Sequence, residues 1–264
     1  GKLKKGEKLT DHHNSSTAKD VRKRMWNGEK IAECAECWYR EKVSTNQENP
    51  SSYRNQLNTR FSEHIDEIVE NTNEDFSLKE VKLKMIDLRF DNKCNLKCKF
   101  CWQTTVKGEV DRSTEISYEN LLQIVEDAAK LNVKEWIVSG GGEPFYRGKE
   151  TLGMMELIKK KKMWGQLTTN GSLLTEEYIK KIVKMGWDQV QISLDGPTAE
   201  VHDFIRSVPG TFKIATKAAK LFSFYRKKYM KKKPYLGFNT CITRHVHDKM
   251  CDMIKLGKEV GFDL

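Results

Sequence analysis

From about residue 84 onward, short runs of β-branched and aromatic residues alternate with longer amphipathic segments. Repeated strand–helix units of this kind predict an α/β fold whose parallel sheet is either a barrel or a doubly wound sheet. The predicted strands are Met85–Phe90, Glu135–Ser139, Gly165–Thr169, Gln189–Leu194 and Tyr235–Ile242. The predicted helices are Ser117–Leu131, Thr151–Lys162, Glu176–Met185, Lys213–Lys228 and Asp248–Val260.

Four short motifs each follow a predicted strand directly. They are the cysteine group 94–101, the glycine run 140–142, Asn170-Gly171 and Asp195-Gly196. In both candidate architectures, ligands bind beyond the carboxyl ends of the strands. The sequence therefore predicts that these motifs meet at one edge of the sheet and form a site there.

Cys94, Cys98 and Cys101 offer three thiolates from one loop, with the spacing CxxxCxxC. Four cysteines usually saturate a [4Fe–4S] cluster, so a trio predicts a cluster with one iron open to another ligand. A structural zinc site is the alternative, and it needs a fourth Cys or His nearby. No His lies between residues 65 and 201, which favours the cluster.

With Phe100 just before the last cysteine, this loop resembles the signature of the radical S-adenosylmethionine superfamily. The resemblance implies a partial (β/α)6 TIM-like barrel, with about five strand–helix units present. It also implies that S-adenosylmethionine binds the open iron through its amino and carboxylate groups. An electron from a donor such as flavodoxin or ferredoxin then cleaves the sulfonium to a 5′-deoxyadenosyl radical.

Motifs after the later strands fit the same family. Ser139–Pro144 resembles its GGEP motif, Thr168–Gly171 its TNG turn, and Ser193 to Arg206 the SxDG…HDxxR pattern of its peptide-modifying branch. The residues that the resemblance assigns to the cosubstrate are Phe100, Gly141, Gly142, Glu143, Asn170, Ser193, Arg206 and Asn239.

The resemblance gives these residues separate expected roles. Gly141, Gly142 and Glu143 are expected to meet the methionine amino group, whereas Ser193 and Arg206 are expected to meet its carboxylate, a suitable partner for an arginine fork.

Other residues near these motifs have simpler interpretations. Asn239 would face the adenine, if the fifth strand alternates regularly. Asp195 has a second interpretation as a helix cap, and His202 as a structural hydrogen-bonding residue. The isolated Cys241 and Cys251 are assigned no chemistry, because single cysteines are usually small apolar residues.

Residues 1–80 are polar and predict a small separate module, and residues 81–264 the barrel. Cys34 and Cys37, followed by Trp38, resemble the SPASM or twitch modules that hold auxiliary iron–sulfur clusters. A zinc half-site or a redox pair is the alternative for a lone CxxC.

Two cysteines cannot complete a cluster. In addition, the chain has no initiator Met and stops at Leu264 as if it were entering another strand. We therefore expect a chain that is incomplete at both ends.

The formal net charge is +10, and basic residues are concentrated between Lys213 and Lys233. This basic run is interpreted as the solvated face of an outer helix or as a surface for nucleic acid or an acidic peptide. No apolar stretch approaches the roughly 18 residues of a membrane span, and the lysine-rich start lacks the apolar segment of a secretory signal. We expect a cytoplasmic protein with no membrane partner.

The leading functional hypothesis is a radical enzyme that acts on a peptide or protein side chain, because auxiliary-cluster modules recur in that branch of the family. Two alternatives stay open. One keeps the radical chemistry but makes the substrate nucleic acid, as in tRNA-modifying members of the family. The other is a zinc-stabilised nucleic-acid-binding protein, for which the basic run and the CxxC pair would be the support.

Overall fold

A computed structural model of the chain describes residues 8–35, 38–39, 65–89, 91–105 and 115–263. The chain divides into two compact units, residues 1–82 and residues 83–264. Cys37 and the predicted strand end Phe90 lie outside the described residues.

The amino-terminal unit contains helices α1 (Leu9–His13), α2 (Ser16–Trp26) and α3 (Ile65–Glu70). Ser15 caps α2 by accepting a hydrogen bond from the backbone N–H of Ala18 at 3.2 Å. From α2, the Arg22 guanidinium donates to the carbonyls of Phe76 at 2.7 Å and His13 at 2.6 Å. Polar side chains thus connect distant parts of this unit.

The second unit is built on one five-stranded parallel sheet. Its strands are β1 (Met85–Leu88), β2 (Glu135–Val138), β3 (Trp164–Thr169), β4 (Gln189–Ser193) and β5 (Tyr235–Asn239). They lie in the order β1-β2-β3-β4-β5, so each strand pairs with its neighbour in sequence. A doubly wound sheet would reverse its strand order partway. The sequential order therefore confirms the partial barrel.

Helices connect these strands, as the sequence predicts. They are α4 (Trp102–Thr105), α5 (Tyr118–Lys130), α6 (Gly148–Lys160), α7 (Glu176–Met185), α8 (Ala199–Arg206), α9 (Thr211–Lys228) and α10 (Met250–Val260). The sequence predicted neither α4 nor α8, which are only four and eight residues long. The N-cap of α8 is Thr198. No helix in the described part of the chain combines the length and the apolar character needed to cross a membrane.

The two faces of the sheet differ in polarity. Trp136, Leu167, Val190 and Ile192 are fully buried on the outer face, against the helices. The half-buried or exposed side chains of the inner face are mostly polar: Met85, Asp87, Glu135, Ile137, Trp164, Gln166, Thr168, Gln189, Gln191, Ser193, Tyr235 and Asn239. Strand alternation therefore gives the barrel a polar interior.

A buried anion lies at the amino end of β4. The carboxylate of Asp188 forms ion pairs with Lys159 and Lys233 and accepts a hydrogen bond from the backbone N–H of Gly165 at 2.9 Å. Its side chain is 3% exposed, so the paired cations and the N–H offset the cost of burying the charge.

The basic run lies on α9 and the loop after it. Lys213, Lys217, Lys220, Lys227 and Lys228 are exposed on this helix, whereas Ala215, Ala218, Ala219 and Phe222 are buried. This arrangement is that of an outer helix with a solvated charged face.

Candidate active site at the carboxyl ends of the strands

The cysteine loop, residues 91–101, follows β1 at the carboxyl edge of the sheet. Cys98 is buried, and Cys94 and Cys101 are half-buried. Burial raises the pKa of the Cys94 thiol, and the negative charges of Glu143, Cys98 and Cys101 raise it further. The backbone N–H of Leu96 points at the Sγ of Cys94 at 3.4 Å. The loop thus gathers three thiols and a donor for a sulfur.

The glycine run holds one side of the cysteine loop. The backbone N–H of Gly142 donates to the carbonyl of Asp91, and that of Glu143 to the carbonyl of Lys93, both at 2.8 Å. A Cβ on Gly141 would lie 2.1 Å from Oδ1 of Asn92, and a Cβ on Gly142 would lie 2.0 Å from the Lys93 carbonyl oxygen. Gly142 is needed because two backbone segments touch there, whatever ligand binds above it, and Gly141 leaves room for the side chain of Asn92.

Glu143 joins the ends of β2 and β3. Its carboxylate is buried and accepts hydrogen bonds from the Thr169 hydroxyl at 2.6 Å, the Asn170 N–H at 2.8 Å and the Phe145 N–H at 3.2 Å. Burial raises the pKa of Glu143, and these three donors oppose the rise. A carboxylate accepts about four hydrogen bonds, so three of its acceptor positions are already used within the chain.

Asn170 connects the end of β3 to the cysteine loop. Its Nδ2 donates to Oδ1 of Asn95 at 3.2 Å and lies 3.9 Å from the Sγ of Cys94. Its Oδ1 accepts from the backbone N–H of Ser172 at 2.8 Å, across a turn in which Gly171 has a φ of 76°. The TNG turn therefore orients an amide toward a thiol.

Arg206, the last residue of α8, holds the other side of the loop. Its Nε lies 2.6 Å from Oδ2 of Asp195, in an ion pair without the alignment of a hydrogen bond. Its Nη1 donates to the Sγ of Cys98 at 3.5 Å, and its guanidinium carbon lies 5.4 Å from the ring centre of Phe100. In addition, the backbone N–H of Lys99 donates to the carbonyl of Ile205 in α8 at 3.0 Å.

Asp195 does not cap α8, because Thr198 is the N-cap residue of this helix. Its side chain is fully buried, and its Oδ1 accepts from the backbone N–H of Cys241 at 2.8 Å, just beyond β5. Its own N–H donates to Nδ1 of His202 at 3.1 Å, so His202 has the structural role that the sequence favoured. Burial and then the nearby charge of Arg206 lower the pKa of His202 to about 4.

Ser193 and Asn239 lie opposite each other at the ends of β4 and β5. The backbone pairing continues past them, because the N–H of Leu194 donates to the carbonyl of Asn239 at 2.9 Å. Ser193 is half-buried and Asn239 is exposed on the inner face. Both residues thus lie at the edge where the sequence expected them.

The cysteine trio fits a cluster of several irons better than one zinc ion. Among the residues that the structure describes, no three His, Cys, Asp or Glu side chains converge closely enough to hold a single metal ion. The sulfurs of a tetrahedral zinc site lie about 3.8 Å apart, given Zn–S bonds of about 2.3 Å. Three thiolates from one loop, with N–H donors aimed at the sulfurs of Cys94 and Cys98, suit the separate irons of a [4Fe–4S] cluster.

Sequence reasoning missed two residues that organise the site. Thr169 was placed in a predicted strand and in the TNG motif but was given no role in the site, yet it donates to Glu143. Asn95, between the first two cysteines, accepts from Asn170. A polar residue that ends a buried strand and also begins the TNG motif is the signal that could have identified Thr169.

Comparison with known proteins agrees with this geometry. A family model described as the Radical SAM superfamily matches residues 88–262. The tungsten-containing aldehyde ferredoxin oxidoreductase cofactor-modifying protein of Pyrococcus furiosus is 29% identical over 184 residues, which cover 69% of this chain and 50% of that protein. The chain therefore spans about half the length of this relative.

Solved structures show the same fold. The structure of anSMEcpe with bound AdoMet and the Kp18Cys peptide is 26% identical, with a TM-score of 0.52 over 66% of this chain and 48% of that chain. Streptococcus suis SuiB bound to S-adenosylmethionine has a TM-score of 0.59 over 94% of this chain and 51% of that chain. SuiB is only 16% identical, so its likeness concerns the fold alone.

The buried imidazole of His202 predicts a pH-dependent stability. Its pKa is about 4 in the folded chain and about 6.5 in an unfolded one. Protons therefore bind preferentially to the unfolded chain as the pH falls from 6.5 toward 4, and stability is lost in that window. Between pH 7 and pH 5, the free energy of unfolding should fall by about 2 kcal/mol more in the wild type than in His202→Gln.

Urea unfolding of the metal-free chain at the two pH values measures this difference. His247→Gln, at an exposed imidazole, is the matched control and should keep the wild-type pH dependence. Equal pH dependence in the wild type and His202→Gln would show that the fold does not hold this imidazole neutral.

Proposed function

Because the chain belongs to the Radical SAM superfamily, we propose that it generates a radical for an enzyme that modifies a peptide or protein side chain. The observation that carries the proposal is the cysteine loop. It lies at the carboxyl edge of the sheet, between the glycine run on one side and Arg206 on the other. Such an edge is where ligands bind in barrels of parallel strands.

Proteins of this family use a [4Fe–4S] cluster and S-adenosylmethionine. When bound, the reduced cluster supplies the electron that cleaves the sulfonium of S-adenosylmethionine to a 5′-deoxyadenosyl radical. We assign Cys94, Cys98 and Cys101 as the thiolates that hold three of its irons. An electron donor such as flavodoxin or ferredoxin fits this chemistry, and the cytoplasm fits it too, since thiols stay reduced there.

The side chains around the trio would orient the cosubstrate. In this proposal the guanidinium of Arg206 and the hydroxyl of Ser193 bind the methionine carboxylate, because both offer N–H or O–H donors at the edge. Glu143 and the carbonyls of the glycine run accept from the ammonium group. The side-chain amide of Asn239, at the end of β5, would form a hydrogen bond with the adenine.

The polar interior of the sheet supports an amide-containing substrate over a polyanion, because its charged inner-face side chains, Asp87 and Glu135, are both acidic. No strand from β1 to β5 contains a lysine or an arginine. Gln166, Gln189 and Gln191 instead carry primary amides on the inner face, and a primary amide both donates to and accepts from a peptide group. A polyanion such as RNA is normally bound by arginine and lysine, so the interior favours the peptide hypothesis over nucleic acid.

We also propose that the amino-terminal unit belongs to an auxiliary-cluster module of the SPASM or twitch type. Cys34 is half-buried in a 3₁₀ turn over Ala32–Cys34. The indole N–H of Trp38 donates to the carbonyl of Ile31 at 3.2 Å, which fixes the chain on both sides of the CxxC segment. Cys37, the second proposed ligand, lies outside the described residues.

Cleavage of S-adenosylmethionine tests the cluster assignment. After anaerobic reconstitution and reduction with dithionite, the protein should release 5′-deoxyadenosine, measured by chromatography. Cys98→Ala removes one iron ligand and should reduce the release to that of the cluster-free protein. Cys251→Ala, at an exposed cysteine on α10, is the matched control and should keep wild-type release. Wild-type release from Cys98→Ala would refute the assignment.

Deuterium transfer tests the substrate class. The full-length enzyme is incubated with S-adenosylmethionine and a digest of fully deuterated protein, or with a digest of fully deuterated RNA. If a peptide is the substrate, the radical abstracts deuterium from a peptide C–D bond, and mass spectrometry finds deuterated 5′-deoxyadenosine only with the protein digest. Deuterium from the RNA digest alone would instead establish a nucleic-acid substrate.

An iron count tests the auxiliary cluster. One [4Fe–4S] cluster gives about four irons per chain, so the reconstituted full-length protein should hold more than this. Substituting Cys34 and Cys37 together by alanine should lower the count and leave the irons of the trio in place. A count of about four with both cysteines intact would contradict the proposed module.

A further inference from the structure

The geometry points to a second role for Arg206: its hydrogen bond to Cys98 raises the reduction potential of the cluster, and Asp195 acts as the positioning residue that holds the guanidinium there. This inference rests on the proposed function, since it requires the cluster on Cys98. It concerns the protein before S-adenosylmethionine arrives, and it is separate from the expected contact between Arg206 and the cosubstrate.

Three contacts fix the guanidinium of Arg206. Oδ2 of Asp195 lies 2.6 Å from its Nε, and its Nη1 donates a hydrogen bond to the Sγ of Cys98 at 3.5 Å. The ring centre of Phe100 lies 5.4 Å from its Cζ. A lysine could not reproduce this arrangement, because an ammonium is a single point of charge without the planar fork. The fork lets one side chain engage an anion and a sulfur at the same time.

Asp195 is itself immobilised from two directions. Its Oδ1 accepts from the N–H of Cys241 at 2.8 Å, and its own N–H donates to the buried imidazole of His202 at 3.1 Å. The carboxylate therefore joins the loop after β4 to the segment after β5 and presents its second oxygen to Arg206. A guanidinium anchored in this way has little freedom to turn away from the cysteine.

Burial makes these contacts strong. Asp195 is 0% exposed, Cys98 is 7% exposed and Arg206 is 9% exposed. Screening by water is weak in such surroundings, so a charged N–H donor acts on the sulfur with little attenuation. Hydrogen bonds to cluster sulfurs are one of the factors that set iron–sulfur potentials. A cationic donor stabilises the electron-rich reduced state, which raises the potential.

The test is an EPR-monitored redox titration of the reconstituted full-length protein without S-adenosylmethionine. Arg206→Lys keeps the positive charge but loses the fork, and the remaining ammonium should pair with Asp195 in preference to the thiolate. We expect reduction of the cluster to become about tenfold less favourable, equivalent to a shift of about 59 mV to lower potential for a one-electron couple. Arg206→Gln should shift the potential in the same direction and serves as the second variant.

A double-mutant cycle isolates the contribution of Asp195. The D195N substitution removes a negative charge and so changes the cluster potential by itself. The cycle therefore compares the potential shift caused by R206K in the wild-type background with the shift caused by R206K in the D195N background, and the direct effect of D195N cancels. If Asp195 positions Arg206, the effect of R206K should be clearly smaller in the D195N background. D188N is the matched control, because Asp188 is an equally buried, cation-paired carboxylate at the opposite end of β4, and the R206K effect should be unchanged there.

The possible outcomes separate this inference from the proposed function. If a [4Fe–4S] signal forms but R206K and R206Q keep the wild-type potential, the role of Arg206 is refuted while the proposed function stands. An R206K effect of the same size in the D195N background refutes the positioning role of Asp195. If the wild-type protein forms no cluster, both the proposed function and this inference fail.

Discussion

The buried carboxylate of Glu143 is the interaction on which the edge of this sheet depends. It accepts donors from the ends of two strands, and its own N–H binds the first part of the cysteine loop. An ionised carboxylate is costly to bury unless its oxygens are hydrogen-bonded. The donors around Glu143 meet that requirement, and in doing so they fix the relative positions of β2, β3 and the loop after β1.

The sequential strand order extends this local arrangement to the whole edge. Every crossover returns the chain to the same side, so each new loop lies beside the previous one. Glu143 connects the loops after the first three strands, and the Asp195–Arg206 pair connects the loops after β4 and β5 with the cysteines. Two buried carboxylates therefore organise opposite halves of one rim.

Much of this fold was predictable from the sequence. The alternation of strands and helices and the shared edge follow from local patterns, whereas the choice of a barrel over a doubly wound sheet came from the family resemblance of the cysteine loop. The strand predictions differ from the structure by at most three residues at either end. The helices α4 and α8 were not predicted, because four and eight residues are too few for a clear apolar period.

The chemistry of the site was less predictable than the fold. The sequence identified Glu143 and Arg206 but not their partners, because Thr169 and Asp195 meet them only after folding. Gly141 and Gly142 were expected to meet the methionine amino group, whereas the structure shows that they make room for the Asn92 side chain and the Lys93 backbone. Pairings of this kind depend on distances between loops, and no spacing within a single motif encodes them.

Contacts on both sides of the cysteine loop order this loop before a cluster assembles on it. Ordering a backbone residue costs about 1–2 kcal/mol of conformational entropy. Here the contacts to the glycine run and to α8 restrict the loop during folding of the polypeptide itself. The three thiols are then already positioned when iron and sulfide bind, so little of the binding free energy of the cluster is lost in ordering the loop.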